Sequence, residues 1–140
     1  MRVFLDSNVI LSGNVFRGKP HDILRVAFDP KENSFIISED VELEVREALR
    51  RSFPRLRAQA EEILSILPVE VVPRVRYASR LPEFSGLRDP DDAHVLAAAS
   101  VGRCDLVVTG DRDLLVVGQV DDMKIVRPAE ALRLLTRPSG

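Results

Sequence analysis

The stretch "DLVVTGD" at residues 105–111 shows the pattern from which the fold can be predicted. It is a short apolar run, rich in β-branched valine, that ends at a turn glycine and an acid. Such a run predicts a buried β-strand, here over residues 105–110. Runs of the same kind occur elsewhere in the chain: "RVFLD" (2–6), "SFIIS" (34–38), "VEVV" (69–72) and "MKIVRP" (123–128).

Segments with helical periodicity separate these strands. Pro20 and Pro54 mark the first turns of two helices, and Ser38 is a candidate N-cap for another. The predicted helices span residues 19–30, 39–52, 54–67, 89–102 and 128–135, whereas residues 74–88 are predicted to be irregular. This alternation predicts a three-layer α/β/α sandwich with a mainly parallel central sheet. A single domain over residues 1–140 is expected from the chain length.

Composition narrows the range of functions. The net charge is −2, so any binding of nucleic acid must depend on a local basic surface. Arginine outnumbers lysine 17 to 3, and the guanidinium group suits phosphate geometry. The single cysteine, Cys104, excludes a disulfide within the chain and is predicted to be a core residue. The apolar N-terminal segment is interrupted by Asp6 and predicts a strand rather than a signal peptide, and no run reaches the roughly 18 apolar residues of a membrane span. A cytoplasmic protein is expected.

Asp92 is the acid whose position is hardest to explain as that of an ordinary solvent-exposed residue. On a helix over 89–102, it falls at the centre of the apolar face, close to Val95 and Leu96. A carboxylate facing a core costs several kcal/mol unless it is paired or bound to a metal. Asp89 is predicted to be the N-cap before Pro90. His94 lies nearly opposite Asp92 on the helix and is predicted to be solvated.

Two further acids end buried strands. Asp6 follows "RVFL" and Asp111 follows "LVVTG". The carboxyl ends of parallel strands are where sites form in open α/β sheets, so these acids are expected near Asp92. Asp113, two residues beyond Asp111, either joins them or is exposed.

A glutamate from the helix at 39–52 is the remaining candidate. Glu42 and Glu44 border opposite edges of the apolar stripe of this helix, and Glu47 points away. Helical periodicity does not distinguish which of Glu42 and Glu44 belongs to the site, and both can also be solvated residues at the rim of the apolar stripe. The stripe consists of Val41, Val45, Ala48 and Leu49.

Taken in order, these segments resemble the PIN-domain nucleases, in particular the VapC-type toxins of bacterial and archaeal toxin–antitoxin pairs. The motifs are "FLDSNVIL", "ISEDVELEVREAL", "DPDDAHVLAAA" and "VVTGDRDLL", and the resemblance runs from residue 3 to about 127. It implies a catalytic set in which Glu44 rather than Glu42 is used. It also implies that Ser7 and Thr109 orient carboxylates. The implied catalytic acids are Asp6, Glu44, Asp92 and Asp111, with Asp113 as an extra acid.

Acidic oxygen ligands without histidine or cysteine select a hard ion, Mg²⁺ or Mn²⁺. Asp6, Asp92 and Asp111 are expected to bind it directly, and Glu44 to bind it through water or to orient the attacking water. The family implies hydrolysis of phosphodiester bonds in single-stranded or structured RNA, with a homodimer and an antitoxin protein as partner. Of the arginines around residues 46–57 and at 112, Arg50, Arg51 and Arg112 are candidate RNA contacts, although most charge runs of this kind are solvated surface.

Two other functions compete with the nuclease prediction. One is a phosphotransfer domain in which Asp6 is phosphorylated. However, "DSN" lacks a second acid two residues after Asp6, and no suitably placed lysine follows a late strand. The other is a catalytically silent module that binds RNA or protein. The presence of all four predicted catalytic acids argues against this alternative.

Overall fold

The protein is described by a computed structural model that covers residues 1–15, 18–29 and 33–136. Its strands form one six-stranded sheet in the order β3-β2-β1-β4-β6-β5. All neighbouring strands are parallel except β5, which runs antiparallel to β6. The strands are β1 (Arg2–Leu5), β2 (Ser34–Ser38), β3 (Val69–Val72), β4 (Leu106–Val108), β5 (Gln119–Val120) and β6 (Met123–Val126).

Helices flank the sheet, which confirms the predicted three-layer α/β/α architecture. They are α1 (Ser7–Val15), α2 (Lys19–Ala27), α3 (Glu39–Ser52), α4 (Arg57–Ile66), α5 (Arg74–Tyr77), α6 (Ala93–Val101), α7 (Arg112–Val117) and α8 (Pro128–Leu135). Two 3₁₀ segments, Ala78–Phe84 and Pro90–Asp92, precede α6. No helix in the described part of the chain is long and apolar enough to cross a membrane.

The core lies on the two central strands and on α6. Every residue from Val95 to Ala99 in α6 is buried, as are all of β4 and Val3 to Leu5 of β1. Strands buried on both faces need continuous apolar runs, as the sequence has. Cys104 is buried, as predicted, and burial raises the pKa of its thiol to about 12.

Local capping accounts for several helix starts. The Ser38 hydroxyl accepts a hydrogen bond of 3.0 Å from the Val41 N–H and caps α3, as predicted. Asp89 Oδ1 likewise accepts from the Asp91 N–H at 3.0 Å. Asp111 caps α7 by accepting from the Asp113 N–H at 2.9 Å. The predicted helix at 54–67 starts later, at Arg57, after a turn.

Several elements differ from the sequence-based prediction. The first strand passes directly into α1, where the Asp6 carbonyl accepts from the N–H groups of Val9 and Ile10. Valine and isoleucine disfavour a helix locally, but these two side chains are buried in the core, and packing overrides propensity. Residues 74–84, predicted to be irregular, form α5 and a 3₁₀ segment, and α7 and β5 were not predicted. The predicted helix at 19–30 ends at Ala27, and Pro30 lies outside the described residues.

Candidate active site

Two neighbouring parallel strands bring Asp6 and Asp111 to the same edge of the sheet. β1 and β4 pair with Leu5 opposite Val108, and the Asp6 N–H donates to the Val108 carbonyl at 3.0 Å. Asp6 therefore stands at the carboxyl end of β1, and Asp111 follows three residues after β4 ends. This is the edge at which the sequence placed the site.

The Asp6 carboxylate is held by three donors. Oδ1 accepts from the Ser7 N–H at 2.8 Å, and Oδ2 accepts from the Thr109 hydroxyl at 2.7 Å and from the Asn8 side-chain amide at 3.2 Å. Burial raises the pKa of Asp6, although the bonds from Thr109 and Ser7 oppose this. The geometry is consistent with the orienting role predicted for Thr109, which is itself fully buried.

Asn8 ties the two strand ends together and was not predicted as a site residue. Its Oδ1 accepts from the Gly110 N–H at 2.9 Å while its amide donates to Asp6. The Thr109 hydroxyl, which bonds Asp6, also accepts from the Asp111 N–H at 3.0 Å. The only signal in the sequence was a polar side chain directly after an apolar strand, which is common in loops.

Asp92 has the least compensated carboxylate of the site. It is buried, and its Oδ2 is among the few buried side-chain oxygens in the described residues that have no hydrogen-bond partner. Burial raises the pKa of Asp92 to about 7, helped by a hydrogen bond and charge repulsion from Asp111 and by the charges of Asp89 and Asp6. A buried carboxylate that has one oxygen unpartnered and is bonded only to another acid lacks the compensation that a cation supplies.

Three carboxylates converge at this point. Asp89, Asp92 and Asp113 each offer an oxygen, and these oxygens lie within 4.8 Å of one another. Asp113 is thus half-buried beside Asp92 rather than exposed, and its role as an extra acid of the site stays a prediction. Asp89 is both the predicted cap and a member of this cluster, and the sequence predicted only its capping role. A cluster of carboxylate oxygens, one of them unpartnered, has the donor set that a hard divalent cation prefers.

Glu44 reaches the site from α3 and is held by two side chains. Its Oε2 accepts from the Ser7 hydroxyl at 2.8 Å, and its Oε1 lies 2.7 Å from His94 Nε2. Burial acts to raise the pKa of Glu44, but the hydrogen bonds from His94 and Ser7 outweigh it, so the pKa is lowered. Glu42 instead faces Arg46 of its own helix at 3.5 Å. Of the two glutamates that periodicity left open, the structure brings Glu44 to the other acids' neighbourhood.

The prediction that His94 is solvated is wrong. Its side chain is 15% exposed and faces Glu44. The prediction assumed an amphipathic helix from residue 89, but a 3₁₀ turn precedes α6 and changes the angular relation of its residues. In addition, Ala93 and Val95 to Ala99 of α6 are buried, so the helix has no fully solvated face. Glu44 and other charges raise the pKa of His94 against the effect of burial, which acts to lower it.

Two open grooves adjoin the acids. One, of about 680 Å³, is lined by Glu44, His94, Asp40, Asp91 and Arg74 among others. The other, also about 680 Å³, is lined by residues that include Asn8, Gly110, Asp111, Lys19 and Arg127.

The arginines predicted to contact RNA lie at different distances from the acids. Arg112 is exposed and opens α7 directly after Asp111. Arg50 pairs with Glu47 at 2.6 Å near the end of α3, about 9 Å along the helix from Glu44. Arg51 is exposed beside it. Binding of RNA by these residues stays a prediction.

Comparison with known proteins identifies the family. The model of the family described as PIN domain matches residues 2–113. No curated protein sequence matches the chain. The fold is similar to that of a toxin–antitoxin complex from Klebsiella pneumoniae, with a TM-score of 0.67 and 18% identity over 90% of this chain and 97% of that chain.

Two further solved structures share the fold. VapBC2 from Rickettsia felis, in a complex with a DNA fragment from its promoter, has a TM-score of 0.61 and 16% identity over 91% of this chain and 98% of that chain. VapC20 from Mycobacterium tuberculosis, a sarcin–ricin loop cleaving toxin, has a TM-score of 0.61 and 18% identity over 87% and 98%. The predicted resemblance to VapC-type toxins is confirmed at the level of the fold, and the family match over residues 2–113 shows that the chain belongs to the PIN-domain family.

Proposed function

We propose that this PIN-domain protein is a metal-dependent endoribonuclease that hydrolyses phosphodiester bonds in single-stranded or structured RNA. The observation that carries the proposal is the buried, unpartnered oxygen of Asp92 among other carboxylates at the carboxyl edge of the sheet. Such an arrangement is costly for the folded protein by itself and is relieved by a bound cation. The pKa of Asp92, raised to about 7, reflects the same conflict.

The carboxylate donor set fits Mg²⁺ or Mn²⁺. Asp6, Asp92 and Asp111 are the proposed direct ligands, with Glu44 through water, and the convergence of Asp89 and Asp113 on Asp92 adds these two acids. When bound, the ion supplies positive charge for the phosphate and acidifies a water molecule.

The protein's own groups have distinct proposed roles. Ser7 and His94 hold the two oxygens of Glu44, so that this carboxylate is oriented to position the attacking water. Thr109, from the neighbouring strand end, and Asn8, from the first turn of α1, fix Asp6. Arg112 is proposed to contact the RNA beside the acids, and Arg50 and Arg51 farther along α3.

The toxin role is proposed by analogy. The neighbours in fold include toxin–antitoxin complexes and a toxin that cleaves the sarcin–ricin loop. We therefore propose an antitoxin protein as partner, a homodimer, a cytoplasmic location and a single domain over residues 1–140. Phosphorylation of Asp6 is disfavoured, because the residue two positions later is Asn8 rather than a second acid, and no suitably placed lysine follows a late strand.

Cleavage of a labelled single-stranded RNA pool in Mg²⁺ or Mn²⁺ tests the proposal. The wild type is compared with Asp92→Asn and with Asp91→Asn, an exposed neighbour that undergoes the same change of charge. We expect EDTA and Asp92→Asn to abolish cleavage and Asp91→Asn to retain it. Equal cleavage by the wild type and Asp92→Asn would contradict the role of Asp92. A folded wild type that binds the pool without cutting it would favour the silent RNA-binding module.

A further inference from the structure

The groove beside Asp111 is the feature that the catalytic proposal leaves unused. It is bounded by the first residues of α2 and α8, and it opens onto the end of β4. We call it the basic groove and define it by Lys19, Pro20, Arg127 and Pro128 together with Asn8 and Asp111. Asn8 and Asp111 belong also to the candidate active site, so the two are continuous.

The basic groove presents two cations that form no ion pair within the described part of the chain. Lys19 and Arg127 are both exposed, and neither forms an ion pair with any of the described residues. By contrast, Arg74 in the groove on the other side of the acids is bound to Asp40 at 2.6 Å. Three acids line that second groove, namely Asp40, Glu44 and Asp91. The described lining of the basic groove includes one, Asp111, so the basic groove attracts an anionic strand more strongly.

Two helix N-termini reinforce the charge of the basic groove. α2 has nine residues and α8 has eight, and neither has a side-chain cap on its first N–H groups. Helix N-termini carry partial positive charge and offer free N–H donors, although the proline in the first turn of each helix supplies none. Each of these helices has an acid in its first turn. Glu130 of α8 is engaged by Arg133 at 2.5 Å, and Asp22 of α2 lines a separate groove together with Arg25.

We propose that the basic groove holds the phosphate backbone of the RNA strand next to the bond that is cut, with Lys19 and Arg127 on its phosphates. This rests on the proposed function. Among the described residues the lining has no aromatic side chain on which a base can stack, and its apolar members are Val9, Pro20, Pro128 and Ala129. The groove therefore binds the backbone and tolerates different bases at these positions.

Binding of a fluorescent single-stranded RNA in EDTA, followed by anisotropy at several salt concentrations, measures this contact without cleavage. Lys19→Glu and Arg127→Glu are compared with Arg103→Glu. Arg103 is exposed and precedes β4, so it lies at the end of the sheet opposite to the groove. Its replacement by glutamate changes the charge by the same amount. Circular dichroism checks that each variant is folded, and Lys19→Gln and Arg127→Gln replace any that is not.

Each groove variant is expected to weaken RNA binding about fivefold to tenfold and to reduce the salt dependence by about one counterion, whereas Arg103→Glu binds as the wild type does. If both groove variants bind RNA as tightly as the unmodified protein, and the unmodified protein cleaves RNA, the groove proposal alone is overturned. Loss of binding to a protein partner with unchanged RNA affinity would also overturn it, and would assign the groove to that partner. A wild type that neither binds nor cuts RNA would overturn the proposed function together with it.

Discussion

Asp92→Asn is expected to stabilise the protein when divalent ions are removed, although it is expected to abolish activity. The ordinary pKa of this carboxyl is 3.8, and in the folded protein it is raised to about 7. The folded state therefore holds a proton that the unfolded state releases between these values. Stability falls as the pH rises from about 4 to about 7, and the penalty is complete above pH 7. An asparagine amide resembles the protonated acid and can donate to Asp111.

The size of the effect follows from the pKa. A rise from 3.8 to about 7 corresponds to about 4 kcal/mol of unfolding free energy at pH 8. The cost comes first from burial of the charge and then from repulsion by neighbouring acids. Solvent reaching the open site reduces both contributions, so we expect Asp92→Asn to raise the unfolding free energy by about 2 kcal/mol. For a chain of 140 residues this is a rise in Tm of about 6 °C.

Thermal and urea unfolding in EDTA at pH 8 and at pH 4.5 measure the difference. The stabilisation should shrink at the lower pH, where the wild-type Asp92 is largely protonated. Asp91→Asn, on an exposed side chain, should have little effect at either pH. Addition of Mg²⁺ should then stabilise the wild type more than Asp92→Asn, since a ligand stabilises only the state that binds it. An Asp92→Asn variant destabilised by more than about 1 kcal/mol in EDTA at pH 8 would refute the reasoning, because a structural partner for the carboxylate would then exist.

Three further predictions concern neighbouring contacts. Thr109→Val removes the buried hydroxyl that donates to a carboxylate at 2.7 Å, and should lower the unfolding free energy by about 1–3 kcal/mol, while Thr109→Ser retains most of it; urea unfolding compares the two. His94→Ala releases one oxygen of Glu44, and should lower kcat by roughly tenfold to a hundredfold without a matching loss of RNA affinity; equal losses in both would indicate a general structural role. Arg50→Glu combined with Arg51→Glu should weaken RNA binding without changing folding, and unchanged affinity at low salt would reject these residues as RNA contacts.

Much of the fold could be predicted because its signals are local. A parallel sheet buried on both faces requires short continuous apolar runs, and the strands of the described chain that lie nearest its centre, β1, β2 and β4, were recognised in this way. The short elements α7 and β5 were missed because few residues carry their signal. α1 was missed for a different reason: its valine and isoleucine content favours a strand, and only burial against the core makes it helical.

The candidate site was predicted in part. Acids at the strand ends and the misplaced acid of an apolar segment drew attention to Asp6, Asp92 and Asp111. The choice of Glu44 depended on the resemblance to PIN domains, since helical periodicity treats Glu42 and Glu44 alike. The prediction missed the contact of His94 with Glu44, because the amino-acid composition does not distinguish a 3₁₀ turn from the start of an α-helix.

The sequence by itself determined which segments are buried, in which order strands and helices alternate, and that carboxylates stand at strand ends. These properties depend on hydrophobic periodicity and on capping, which act over a few residues. The tertiary structure alone decided which side chains meet. Thr109 reaches Asp6 across 103 positions of sequence and Glu44 reaches Ser7 across 37. Contacts of this kind depend on the register of β1 against β4 and on the packing of α3 and α6 beside them. No local pattern records that register, because it is set by the free energy of the whole core.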